Sequence, residues 1–97
     1  MTKGGSIYML SNKHNTTLYI SVTSDLTVRI MEHKNKFHPK SFTARYNIDK
    51  LVYFENFEGI EEAIAREKQL KAGSRANKEA LINSLNPEWI DLFESIC

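Results

Sequence analysis

The sequence predicts a small α+β domain: an antiparallel three-stranded sheet with helices packed against it. Three observations predict this. Two β-rich runs lie near the N-terminus, Ser6 to Asn12 and Thr16 to Thr23, with a polar turn between them. A third run, Leu51 to Phe54, lies mid-chain. The second half carries helical periodicity bounded by capping residues. With 97 residues there is room for one hydrophobic core, so residues 1–97 are expected to form a single domain, with a core over about 5–83 and a C-terminal helix over about 86–96.

The first two runs suggest a hairpin through Asn12-Lys13-His14-Asn15. Centring the turn between Lys13 and His14 pairs Tyr8 with Tyr19, Ile7 with Ile20 and Met9 with Leu18. Two tyrosines then share one face of the sheet and aliphatic pairs the other. Ser24 is a suitable N-cap, and Asp25 adds negative charge to the first turn of a helix that runs to about Lys34 on Leu26, Ile30 and His33. Residues 35–47 are polar, contain Pro39 and read as an extended loop. Gly59 precedes a helix from Ile60 to Ala72, with Ala63, Ile64, Glu67 and Leu70 on one stripe, and Gly73 stops it. Ser74 caps a further helix to about Ser84, expected to turn Ala76, Leu81 and Leu85 inward. Asn86-Pro87 reads as an N-cap and first helical residue, with Trp89, Ile90 and Phe93 buried behind them.

Composition narrows the function classes. A 41% hydrophobic and 26% charged content is that of a globular protein. No apolar run exceeds four residues, so no membrane span and no signal-peptide core is visible, and a soluble, cytoplasmic protein is expected. A single cysteine, Cys97, fits a reducing compartment. The net charge is +1, but residues 34–50 set Lys34, Lys36, Lys40, Arg45 and Lys50 against Asp49 alone, while Glu88, Asp91 and Glu94 make the C-terminus acidic. A basic middle suits a polyanionic partner, although a lysine-rich solvated loop explains it equally well. Gly-rich phosphate loops, paired Cys motifs and a G-x-S-x-G elbow are absent from the sequence.

What carries chemistry is a set of polar groups in apolar settings. Glu67 lies on an apolar helical stripe, where a carboxylate needs a metal, water or an ion-pair partner; Lys71 and Arg66 are the simple candidates. Arg29 and His33 stand four residues apart on one helix face, which a plain solvated surface would also explain. Tyr8 and Tyr19 are as readily packing aromatics as reactive groups.

In order and spacing, Ser6-Ile7-Tyr8, Tyr19-Ile20-Ser21, Arg29, His33 and Glu67 resemble the GIY-YIG nuclease family. The likeness continues through 22–36, 49–57 and 61–82 and is greatest to its small stand-alone bacterial members, which are related to an excinuclease nuclease domain. Ser6 and Ser21 stand where that family has glycine.

The resemblance implies a metal-dependent endonuclease that hydrolyses DNA phosphodiester bonds, with repair or recombination as its expected setting. The alternatives are a catalytically impaired nucleic-acid-binding module of the same fold, or a fold whose C-terminal helix serves as a partner surface. In the nuclease reading, Glu67 holds one divalent ion, Mg²⁺ or Mn²⁺. Tyr8 is the general base, Tyr19 positions water and phosphate, Arg29 contacts the scissile phosphate, and His33 supports the proton network. The basic loop, through Lys34, Lys36, Lys40 and Arg45, is expected to follow the DNA backbone. No small-molecule cofactor is expected, and the oligomeric state is open.

Overall fold

The structure is a computed structural model and describes residues 4–97. Its elements run β1 (Gly5–Ser11), β2 (Leu18–Thr23), α1 (Leu26–Lys34), α2 (Phe42–Arg45), β3 (Lys50–Phe57), α3 (Ile60–Ala72), α4 (Arg75–Leu85) and α5 (Phe93–Ile96). The three strands form one antiparallel sheet in the order β2-β1-β3. The α+β class with a three-stranded sheet is therefore as the sequence predicts. Among the described residues, no helix is long and apolar enough to cross a membrane.

β1 is the central strand, and all its residues are buried. That explains why Ile7 to Leu10 reads as a continuous apolar run: both faces of the strand are covered. Ile7 and Met9 face Ala63 and Leu70 of α3 and Ile82 of α4, together with Ile20, Val52 and Tyr53 of the sheet. Tyr8 and Leu10 point the other way, towards Ile30 of α1, Ile48 and Leu51. Leu92, Phe93 and Ile96 close that second cluster from the C-terminal segment. Each large apolar side chain so buried contributes about 1.5–3 kcal/mol.

The hairpin forms, but its register is displaced by two residues from the expected one. Tyr8 pairs with Ser21, Met9 with Ile20 and Leu10 with Tyr19. The cause is the turn. Asn12 Oδ1 accepts from the backbone N–H of Thr16 and Thr17, at 2.9 and 3.1 Å, and Asn15 takes a left-handed φ of 59°. This asparagine-bonded loop is longer than a symmetrical four-residue turn. A shift of two preserves the faces, so Tyr8 and Tyr19 still share a side.

Gly5 is required by close approach. A Cβ there would lie 2.8 Å from Ile60 Cδ1 and 2.9 Å from Ala63 Cβ. The start of α3 is pressed onto the start of β1, and only glycine leaves the space.

Four expectations need correction. Asp25, not Ser24, caps α1, accepting from Val28 N at 3.3 Å, because Thr23 Oγ1 first accepts from Asp25 N and turns the chain. The loop 35–47 contains the helical turn α2, capped by the Ser41 side chain and ended before Asn47 at φ 55°. β3 runs on to Phe57. In α4, Ile82 is fully buried, whereas Ala76 is exposed and Leu85 is 54% exposed. The rotation follows from Asn86, four residues beyond Ile82, which is buried and donates to Val52 O at 3.1 Å.

The C-terminal segment differs most. Asn86 does not start a helix. Its Nδ2 also donates to Ile90 O and its Oδ1 accepts from Ile90 N, closing a loop that pins β3. Trp89 has a left-handed φ of 54°, incompatible with a helix, and Ile90 is 56% exposed. Leu92 N then donates to Leu51 O at 2.8 Å, covering the β3 edge, and only Phe93–Ile96 is helical.

Candidate active site

The second face of the sheet carries the polar groups. Tyr8 sits mid-strand and is fully buried. The α1 helix crosses above it, anchored by Ile30, so Arg29 and His33 straddle the anchor. Tyr8 Oη and His33 Nε2 are hydrogen-bonded at 2.9 Å. The other ring nitrogen, Nδ1, is bonded to Thr43 Oγ1 at 3.0 Å. Tyr19 meets the imidazole edge-on, ring centroids 5.9 Å apart. Arg29 Nη1 donates to Glu32 Oε1 at 2.9 Å.

Burial moves the ionisable groups in different directions. Burial pushes the Tyr8 hydroxyl above its ordinary pKa, while Arg29, Ser21 and the Arg29 charge pull it back only in part. His33 falls to about 4, first because it is buried and second because Arg29 repels its charged form. It is therefore a neutral imidazole at pH 7, with one donor and one acceptor nitrogen.

Tyr19, Arg29, Glu32, His33, Lys36, Phe42 and Thr43 line a cleft of about 120 Å³. Tyr8 lies beneath its floor rather than in its lining. Thus Tyr8, Tyr19, Arg29 and His33 come together, as the sequence spacing suggests. Ser21 comes with them: as the cross-strand partner of Tyr8, it places its hydroxyl beside the phenol. A hydroxyl that stabilises the phenolate occupies the position that glycine would leave open.

Glu67 is placed differently. It belongs to α3, on the opposite face of the sheet, although α3 also reaches the edge strand β2. It is not among the residues lining the cleft. Its side chain is 14% exposed and pairs with Lys71 at 3.5 Å, while Arg66 instead grips Glu55 at 2.9 Å. Among the described residues, no group of three or more metal-ligating side chains is found. A lone, largely covered carboxylate with one loose partner nevertheless fits a hard divalent ion that retains most of its waters.

The basic loop divides. Lys34 turns inward, paired with Asp91, donating to Asp49 O at 3.0 Å and lying over the Phe93 ring. It is a clamp between α1 and the C-terminal segment rather than an open cation. Lys36 lines the cleft and donates to Asn47 Oδ1 at 2.6 Å. Lys40 and Arg45 are exposed. Sequence reasoning missed Thr43, Ser41 and Glu32. The only available signal was Ser41 two residues before Thr43, a helix cap hidden in what looked like a loop.

The sequence profile described as the GIY-YIG catalytic domain matches residues 4–80. A UPF0213 protein of Clostridium perfringens is 40% identical over 78 residues, covering 80% of this chain and 82% of the relative. One from Syntrophus aciditrophicus is 35% identical over 72 residues, covering 74% and 82%. The solution NMR structure of a UPF0213 protein from Bacillus halodurans matches with a TM-score of 0.57 at 27% identity, covering 89% of each chain.

Proposed function

Because the chain belongs to the GIY-YIG family, whose fold is of nuclease type, we propose that it is a divalent-metal-dependent endonuclease hydrolysing DNA phosphodiester bonds. The observation that carries the reading is the buried Tyr8–His33 hydrogen bond with Arg29 beside it. A phenol held against a neutral imidazole has a path for its proton, and a guanidinium at the same point can hold phosphate.

Arg29 is bonded to Glu32 and lies close enough to Tyr8 for its charge to favour the phenolate. A phosphodiester entering the cleft competes with Glu32 for the guanidinium. As Arg29 turns to phosphate, the Tyr8 oxygen is uncovered towards the cleft. Tyr8 then takes a proton from water while its own passes to His33 Nε2. The negative charge of the substrate makes His33 a better acceptor than it is in the free protein. Tyr19, in the cleft wall, orients water and phosphate. Glu67 would hold the divalent ion, Mg²⁺ or Mn²⁺, which supplies positive charge for the phosphoryl and leaving oxygens.

The rim supports a preference for unpaired DNA. Phe37, Phe42 and Tyr46 are 65%, 50% and 54% exposed, beside Lys36, Lys40 and Arg45. Exposed rings among cations suit unpaired bases above a phosphate backbone. Repair and recombination intermediates carry such stretches.

Labelled single-stranded, branched and duplex oligonucleotides, incubated with Mg²⁺, Mn²⁺ or EDTA, test the reading. Ion-dependent cleavage that favours unpaired DNA is expected. Glu67→Gln should keep the fold and lower cleavage at least about a hundredfold. Wild-type rates in Glu67→Gln would remove the metal assignment. Binding without cleavage, on every DNA and ion, would favour the binding-module reading, in which the Arg29–Glu32 pair is a resting lock.

A further inference from the structure

The imidazole of His33 has two hydrogen-bond partners, and only one arrangement of its single ring proton leaves Nε2 free to accept from Tyr8. We propose that Thr43 is the residue that enforces this arrangement: its hydroxyl accepts the His33 Nδ1–H and so keeps the Nε2 lone pair on the Tyr8 O–H. The inference rests on the nuclease reading for its consequence in catalysis but not for its geometry.

The partners on both sides accommodate this direction. Thr43 is 4% exposed and lies at the start of α2, where the backbone holds it. Its Oγ1 is 3.0 Å from His33 Nδ1 and 3.3 Å from Ser41 Oγ. Ser41 Oγ already accepts from Ala44 N at 3.3 Å and keeps a second lone pair, so it can take the Thr43 proton. With its hydrogen directed to Ser41, Thr43 can only accept from the imidazole. At the other end, the Arg29 guanidinium near Tyr8 can only donate, and the Ser21 hydroxyl can rotate to donate to the Tyr8 oxygen as well. The Tyr8 hydrogen is therefore free to point at Nε2. The chain runs in one sense: Tyr8 to His33 to Thr43 to Ser41. The reverse tautomer would set Nε2–H against Tyr8 and leave the phenol no nitrogen to receive its proton.

This makes Thr43 a positioning residue that acts through His33. It also gives the segment 35–47 a purpose beyond charge, because α2, capped by Ser41, is what brings Thr43 to the imidazole. The remaining charged and titratable neighbours of His33 are Tyr19 of β2, Arg29 and Glu32 of α1, and His38 of the loop. Arg29 and His38 oppose protonation of the ring, and Glu32 favours it.

Nitrogen-15 NMR of histidine-labelled protein at neutral pH reads the tautomer directly, without any assay of cleavage. The expected wild-type result is Nδ1–H, the form that free histidine disfavours in water. Thr43→Val keeps the shape and loses the hydroxyl. It should populate Nε2–H and lower kcat roughly tenfold to a hundredfold with KM little changed. Thr43→Ser should restore Nδ1–H and most of the rate. A wild-type protein in the Nε2–H form would overturn the proposal without any variant being needed. So would a folded Thr43→Val that remains Nδ1–H. If the tautomer responds as expected while no protein cleaves DNA, the positioning stands and the nuclease reading falls.

Discussion

Two tyrosines on neighbouring strands show how differently the two faces of the sheet are used. Tyr53 stands on the α3 face, where its hydroxyl donates to Glu55, itself gripped through two bonds by Arg66 at 2.9 and 3.0 Å. Burial and the facing carboxylate push Tyr53 up to about 12. It is a fixed donor within a structural ion pair. Tyr8, on the other face, meets an imidazole that can take its proton, with a guanidinium and a serine hydroxyl nearby that favour the phenolate. Both are buried phenols with raised pKa. What separates them is the company each keeps: a partner that can accept and pass on a proton, against one that only locks it in place.

The contrast predicts a double dissociation, with the largest effects first. Ile7→Ala removes a core side chain from the sealed face and should cost about 2–5 kcal/mol of stability, a large share of the roughly 5–15 kcal/mol available to a small domain. Assayed well below its melting point, it should keep nearly normal kcat. Tyr8→Phe, the next residue on the same strand, should lower cleavage by about 10² to 10⁴ while costing roughly 1–3 kcal/mol, the penalty of leaving a His33 nitrogen without a partner. Urea denaturation and single-turnover cleavage of both variants check this. Equal loss of activity in both would mean that the faces are not functionally distinct.

Gly5→Ala tests the sealed face at its tightest point. The added methyl would have to displace Ile60 and Ala63, so a loss of about 1–3 kcal/mol is expected from thermal unfolding. Activity per folded molecule should hardly change.

The sheet, the helix α3 with its bounds, and the shared faces of Tyr8 with Tyr19 and of Arg29 with His33 were legible because each follows from a local rule; that these four form a site was implied by the family resemblance alone. Alternation sets the face of a strand, and spacing of four sets the face of a helix. Register was misread by two because Asn12 builds its turn with its side chain, which hydropathy does not record. Thr43 was missed because its role depends on where α2 falls in space, not on any period. The C-terminal loop was misread because Asn86 makes tertiary bonds to β3 that outweigh its preference for a helix start.

Acid should affect the open face first. His33 is held at about 4 in the native state against 6.5 when unfolded. The unfolded chain therefore takes up a proton that the folded one resists. The stability this group allows is fully present above about pH 6.5 and is lost as the pH falls towards 4. The urea midpoint should fall between pH 7 and pH 5 in wild type, and fall less in His33→Gln. An identical fall in both proteins would assign the acid sensitivity elsewhere.

The smallest effect concerns Lys34, and it sharpens the boundary of the open face. Four cations in the basic segment would give a salt dependence of DNA binding with a slope in log–log form near −3.6, at about −0.9 per phosphate contact. Lys34 is occupied by Asp91, Asp49 O and the Phe93 ring in the free protein, so it is expected to make no phosphate contact. Lys36, Lys40 and Arg45 alone would give about −2.7. Lys34→Ala should leave the slope unchanged and cost up to about 1 kcal/mol of stability, in keeping with a partly exposed ion pair. Lys40→Ala should make the slope shallower by about one unit without changing stability. Titrations at four or more salt concentrations separate the two. If Lys34→Ala makes the slope shallower as Lys40→Ala does, the clamp opens on binding and the C-terminal segment moves with it.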